Sequence, residues 1–142
     1  MRLKRAILIS VAAYAASFVV GLLTAAVLGF DPYSTDQTIP ESVWYVGIIS
    51  TFVIGFVFAW WYLKPSEVEK SPRQGLWFAL VAIAVGLVVD WLMIGIYVLS
   101  GGDVAQFIAY YSDPYFWLSI VALLVGSVLA GFWVRRGNAI KK

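Results

Sequence analysis

Apolar residues run almost unbroken through four stretches of the chain, residues 6–30, 43–63, 76–99 and 115–134, separated by short polar segments. About 20 such residues cross the hydrocarbon core of a bilayer, so each stretch reads as a transmembrane helix. Little chain is left outside them. The pattern therefore predicts a single transmembrane domain over residues 1–142: an all-α membrane protein built as a four-helix bundle.

Small residues recur at a spacing of four within each stretch. They are Ala13, Ser17, Gly21 and Ala25 in the first, and Gly47, Thr51, Gly55 and Ala59 in the second. Ala82 and Gly86 mark the third, and Ala122, Gly126 and Ala130 the fourth. That spacing holds residues near one helical face. In lipid, small residues let backbones approach where hydrophobicity cannot drive association. Ser17, Gly21, Gly47, Gly55, Gly86 and Gly126 are thus the expected packing positions. A shift of 71 lays Thr51, Gly55, Ala59 and Lys64 on Ala122, Gly126, Ala130 and Arg135, and a shift of 65 lays Gly21 on Gly86. This admits a parallel two-hairpin repeat. Chance alignment of apolar sequence is the competing explanation.

Polar punctuation sets the ends. Asp31-Pro32 closes the first span, and Thr38-Ile39-Pro40-Glu41 has the spacing of a capping box before the second. Ser71-Pro72-Arg73-Gln74 repeats that signal before the third, with proline in the first helical position. Asp113-Pro114 opens the fourth. Gly101-Gly102 breaks the third, and residues 103–111 carry Phe107, Ile108, Tyr110 and Tyr111. They predict a short interfacial helix, with an irregular aromatic loop as the alternative. Trp60, Trp61, Tyr62, Trp77 and Trp133 lie at the opposite ends of the spans, as interfacial aromatics do.

Charge orients the bundle. All ten basic residues fall on one side of the four-span arrangement: Arg2, Lys4, Arg5, Lys64, Lys70, Arg73, Arg135, Arg136, Lys141 and Lys142. The other two loops hold only acidic residues, Asp31, Asp36, Glu41, Asp103 and Asp113. The positive-inside rule then places both termini in the cytoplasm. Arg2 to Arg5 and the Ala13-Tyr14-Ala15 triplet imitate a signal peptide. The apolar run continues well past the triplet, which favours a retained first span.

Composition narrows the chemistry. The chain is 62% hydrophobic, with mean hydropathy +0.87 and neither cysteine nor histidine. That leaves no thiol chemistry and almost no route to a transition-metal or haem site. No metal or other cofactor is expected. The basic ends lack the aromatic-interleaved surface of a nucleic-acid binder. The expected partners are the lipid bilayer and a second copy or another membrane protein.

One residue interrupts the apolar pattern. Asp90 is the single formal charge inside a long apolar stretch, and such a group is a functional-site hypothesis by default. It lies on the small-residue line of the third span, facing the bundle. No lysine, arginine or histidine lies in any span to neutralise it. Thr24, Ser50, Thr51 and Ser119 sit at similar depth and supply hydroxyl partners, so these five residues form the candidate intramembrane polar site. Three roles stand open for Asp90: helix glue, a proton or cation site, or a contact to a partner chain. Trp91 beside it faces lipid or a partner.

No enzyme emerges. Intramembrane proteolysis by two carboxylates needs a pair of aspartates, and Asp113 sits at the surface rather than beside Asp90. The Asn- and Arg-containing motifs of the lipoprotein signal peptidase family are missing. The span-one acidic residue of small multidrug transporters is missing too.

Phe58-Ala59-Trp60-Trp61-Tyr62-Leu63-Lys64, Gly75-Leu76-Trp77-Phe78, Val88-Val89-Asp90-Trp91-Leu92 and Asp113-Pro114-Tyr115-Phe116-Trp117 resemble small uncharacterised prokaryotic four-span membrane proteins. The resemblance covers most of the chain and implies a four-span fold and a location in the cytoplasmic (inner) membrane of a prokaryote, with no activity attached. The expected function is a non-enzymatic structural or regulatory membrane component, or an oligomeric scaffold. The alternative is a small proton- or ion-coupled transporter or channel acting as a homo-oligomer, with Asp90 as its site.

Overall fold

The computed structural model describes residues 2–29, 39–65, 67–102 and 104–139. They form five helices: α1 (Leu3–Leu28), α2 (Glu41–Leu63), α3 (Pro72–Leu99), α4 (Ala105–Ser112) and α5 (Pro114–Ala139). Four contain apolar spans, of 26, 23, 28 and 24 residues. At 1.5 Å per residue these measure roughly 35 to 42 Å, enough to cross a bilayer. The chain is a multi-pass membrane protein of helical-bundle type.

Local chemistry sets the helix ends. Ser71 Oγ accepts from the Gln74 amide at 3.3 Å, with Pro72 opening the helix, as the capping-box spacing predicts. Asp113 Oδ1 accepts from the Tyr115 amide at 2.8 Å and starts α5. Gly29 closes α1 in the left-handed conformation, φ 66°, and its amide returns to the Ala25 carbonyl. The start of α2 differs from expectation. Its N-cap is Pro40, which makes no side-chain cap. Thr38, expected to cap it, lies outside the described residues, as do Asp103 and the turn-rich stretch 31–38.

The spans form a ring. α5 lies between α2 and α3, and α1 closes the far side against the same two helices. α2 and α5 make the most extensive contact and run in the same direction. Trp44 stacks on Tyr115 near their starts, at 6.0 Å between ring centroids. Halfway along, Gly55 faces Leu123.

Small residues of α5 let the backbones meet. A Cβ on Gly126 would overlap the Phe52 carbonyl oxygen, and one on Gly55 would lie 2.9 Å from the Leu123 oxygen. Ser127, fully buried, donates to the Gly55 carbonyl at 3.2 Å. The neighbouring face of α5 meets α3 just as closely. A Cβ on Gly75 would overlap the Ser127 carbonyl, and one on Gly131 would lie 2.6 Å from the Ser71 oxygen. Ala59 and Ala130 are fully buried beside these contacts. Among the residues expected to pack, Gly86 faces the Tyr14 ring at 3.7 Å, whereas Gly21 and Gly47 meet nothing within 4 Å. Ser17 donates to the Ala13 carbonyl of its own helix. The reason is geometric. Each step of four turns about 40° past one face, so two steps carry a residue about 80° from where it began. Gly47 is two steps from Gly55, and Gly21 two steps from Ala13.

The densest core sits toward the end that carries residues 62–78. Tyr62, Leu63 and Phe78 are fully buried there with Ala6, Ile9 and Val68 around them. Tyr62 and Phe78 stack at 5.4 Å. Val68 comes from the connection between α2 and α3 and plugs that end.

These contacts make the glycines unequal. Gly75→Ala and Gly126→Ala should each lower unfolding free energy by about 1–3 kcal/mol, because the methyl meets backbone that has nowhere to go. Gly47→Ala should be neutral, or stabilising by up to about 1 kcal/mol through helix propensity. Unfolding of the three variants in one detergent checks the ranking.

Candidate functional site

The Asp90 carboxyl is the polar centre of the bundle. Both of its oxygens are engaged, and both partners are phenols. Tyr14 of α1 donates to Oδ1 at 2.5 Å. Tyr111 of α4 donates to Oδ2 at 3.0 Å. Side chains of α1 and α4 thus converge on one residue of α3, and Asp90 is half-buried there.

Each donor is positioned by its surroundings. Gly86 lies one turn before Asp90 and presents no side chain, so the Tyr14 ring packs across it. Tyr111 is held from above. Trp117 Nε1 donates to its carbonyl at 3.0 Å, and its ring meets Phe116 edge-on at 4.9 Å. Tyr110 stacks on Trp44 at 5.5 Å. Phe116 and Trp44 are buried in this cluster. Tyr97 and Phe107 pair edge-on at 5.4 Å at the other end of α4. The expected short helix exists, and its aromatic side chains pack onto the ends of α2 and α5. The cluster thereby holds a phenol over Asp90.

The hydroxyls named with Asp90 from the sequence go elsewhere. Thr24 donates to the Val20 carbonyl at 2.8 Å, Ser50 to Gly47 at 3.0 Å and Ser119 to Tyr115 at 3.1 Å. Each bond returns to the residue's own helix, the usual local alternative for a short hydroxyl. Thr51 is half-buried on α2. Asp90 instead draws on longer side chains, because a phenol reaches across an interhelical gap that Ser and Thr cannot. A signal for Tyr14 was present in the sequence: a tyrosine mid-span, away from the interfacial belts, carries a hydroxyl that needs a partner. Tyr111 had no such mark, being one of several aromatics in its segment. Trp91, next to Asp90, is 67% exposed and points out of the bundle.

Chemically the cluster is a carboxyl with two O–H donors. It can join helices, and it can exchange a proton. Among the described residues no group of three His, Cys, Asp or Glu side chains comes together to hold a metal. Burial, and then the Asp90 carboxyl, push the Tyr111 phenol above its ordinary value, so it remains a donor throughout the neutral range.

Comparison with known proteins adds no relative. No family model matches the chain, no curated protein matches it, and no solved structure does.

Two measurements follow from this geometry. In a double-mutant cycle of Tyr14→Phe with Asp90→Ala, the coupling should be about 1 kcal/mol, near the range for interhelical hydrogen bonds in membranes. The second concerns pH. A folded-state pKa above the unfolded value of about 10 means the native state holds the Tyr111 proton more tightly. Its contribution is fully present below about pH 10 and is lost as pH rises through the folded value. Thermal stability should therefore fall above about pH 10, and Tyr111→Phe should fall less steeply there than wild type.

Proposed function

We propose that this protein is a non-enzymatic structural or regulatory component of a prokaryotic cytoplasmic membrane, with Asp90 as an internal latch. The observation that carries the reading is the double engagement of Asp90 by phenols from α1 and α4. A carboxyl placed that way ties three elements together, with a phenol donor on each oxygen. The exposed apolar faces, including Val88, Trp91, Leu92 and Ile96 on α3, meet lipid, a second copy or a membrane protein partner. The basic residues near Arg2, Lys64 and Arg135 put both termini in the cytoplasm by the positive-inside rule. The two hairpins α1–α2 and α3–α5 read as a parallel repeat on the strength of their shared small-residue spacing.

A second reading rests on the same carboxyl. Asp90 is half-exposed rather than sealed, and one of its donors belongs to a short helix at the bundle end. A proton- or ion-coupled carrier built as a homo-oligomer would use that opening.

Asp90→Asn separates the two. As a latch, the substitution lowers stability at pH 7 by about 1 kcal/mol, since the amide accepts only one of the two phenols well. Wild-type proteoliposomes with a pH-sensitive dye then show no proton leak above empty vesicles. A wild-type leak that Asp90→Asn abolishes, with stability unchanged, moves the assignment to transport. Orientation is read independently with a C-terminal fluorescent-protein fusion, which should fluoresce, and an alkaline phosphatase fusion at the same point, which should be inactive.

A further inference from the structure

The end of the bundle opposite Asp90 holds a feature that the Asp90 cluster does not use. A groove of about 410 Å³ runs between α1 and α2, lined by Arg2, Arg5, Leu8, Ile9, Ala12 and Trp61. Its chemistry is ordered along α1. The two guanidinium groups lie at the mouth, and Leu8, Ile9 and Ala12 continue inward for about 6 Å at the helical rise. The indole of Trp61 forms the opposite wall.

Three observations give the mouth a preference for a phosphate. α1 begins without a side-chain cap and with no acidic residue in its first turn, so the positive end of the helix dipole lies at the mouth with no side-chain carboxylate of that turn to neutralise it. Arg5 donates from Nη2 to the Trp61 carbonyl at 2.9 Å, while its buried Nε has no hydrogen-bond partner among the described residues. Arg2 pairs with Glu67 at 2.7 Å, but both side chains are more than half exposed, so a stronger anion displaces the carboxylate at little cost. A second groove, lined by Glu69, Arg73, Gln74 and Trp77, carries one charge of each sign and no aliphatic floor.

We propose that the α1–α2 groove binds an anionic phospholipid, its phosphate at Arg2, Arg5 and the start of α1, and an acyl chain along Leu8, Ile9 and Ala12. Planar guanidinium donors suit phosphate oxygens, and basic pockets between spans are a recurring way to hold such headgroups. The apolar floor favours a lipid over a free phosphate ion. The inference rests on the bundle spanning a bilayer, and on no part of the Asp90 reading.

The test is native mass spectrometry of the purified full chain, titrated with dioleoyl phosphatidylglycerol, with dioleoyl phosphatidylcholine and with inorganic phosphate. Wild type should bind the anionic lipid at least tenfold more tightly than the zwitterionic one and show no adduct with phosphate. Arg5→Gln should reduce the anionic-lipid affinity about tenfold and Arg2→Gln about threefold. The double variant Arg135→Gln with Arg136→Gln, outside the groove, should change it less than twofold. Because Arg5 also holds the end of α2, Arg2→Gln keeps the question open to refutation should Arg5→Gln fail to fold. Equal binding of the two lipids overturns the proposal. So does a preference that survives both groove variants, or one that falls equally with the Arg135 and Arg136 changes. Phosphate adducts that compete with the lipid would make this an ion site instead. Retention of every variant in membranes after an alkaline wash shows that any failure belongs to the groove; release of wild type would instead refute the spanning bundle.

Discussion

Backbone-to-backbone approach around α5 is the constraint on which the rest depends. In lipid, apolar side chains gain nothing by leaving one hydrocarbon environment for another, so helices associate through packing and interhelical hydrogen bonds. α5 meets that requirement on two faces at once. Gly126 lets it lie against the carbonyls of α2, and Gly131, with Gly75 across from it, lets it lie against the start of α3. Ser127 sits between these faces and bonds to the Gly55 carbonyl. With α2 and α3 fixed to α5, α1 has one place left to pack, the groove between them.

That arrangement also explains how a carboxyl is tolerated in the span. α3 turns Asp90 toward α1, and the missing side chain at Gly86 admits the Tyr14 ring beside it. The second donor arrives from outside the bundle, on a helix of eight residues that is too short to persist alone in water. α4 is stabilised instead by aromatic packing onto Trp44 and Phe116. The aromatic cluster and the carboxyl are therefore one unit. The rings position Tyr111, and Tyr111 satisfies Asp90.

The two ends of the molecule divide their chemistry. One end is aromatic and holds α4 over Asp90. The other carries the cationic residues, the dense core around Tyr62 and Phe78, and a groove that grades from guanidinium to aliphatic along a single helix. Polarity graded in that direction matches the grading of a phospholipid from headgroup to chain.

The four spans, the short helix after Gly101-Gly102, the caps at Ser71 and Asp113 and the singular position of Asp90 were all legible in the sequence. Each depends on local properties: the length of an apolar run, the chemistry of a turn, the rarity of a charge. Gly55, Gly86 and Gly126 were legible as contact positions for the same reason, since small residues on one face have few other uses. What surrounds Asp90 was not. Ser and Thr at matching depth were the natural partners on a linear reading, yet their hydroxyls satisfy themselves one turn back on their own helices. The choice of Tyr14 and Tyr111 depends on how α1 is rotated and where α4 folds back. Those are settled by contacts among residues tens of positions apart. Gly21 and Gly47 show the same limit, because only the tertiary arrangement decides where along its length each helix meets a neighbour.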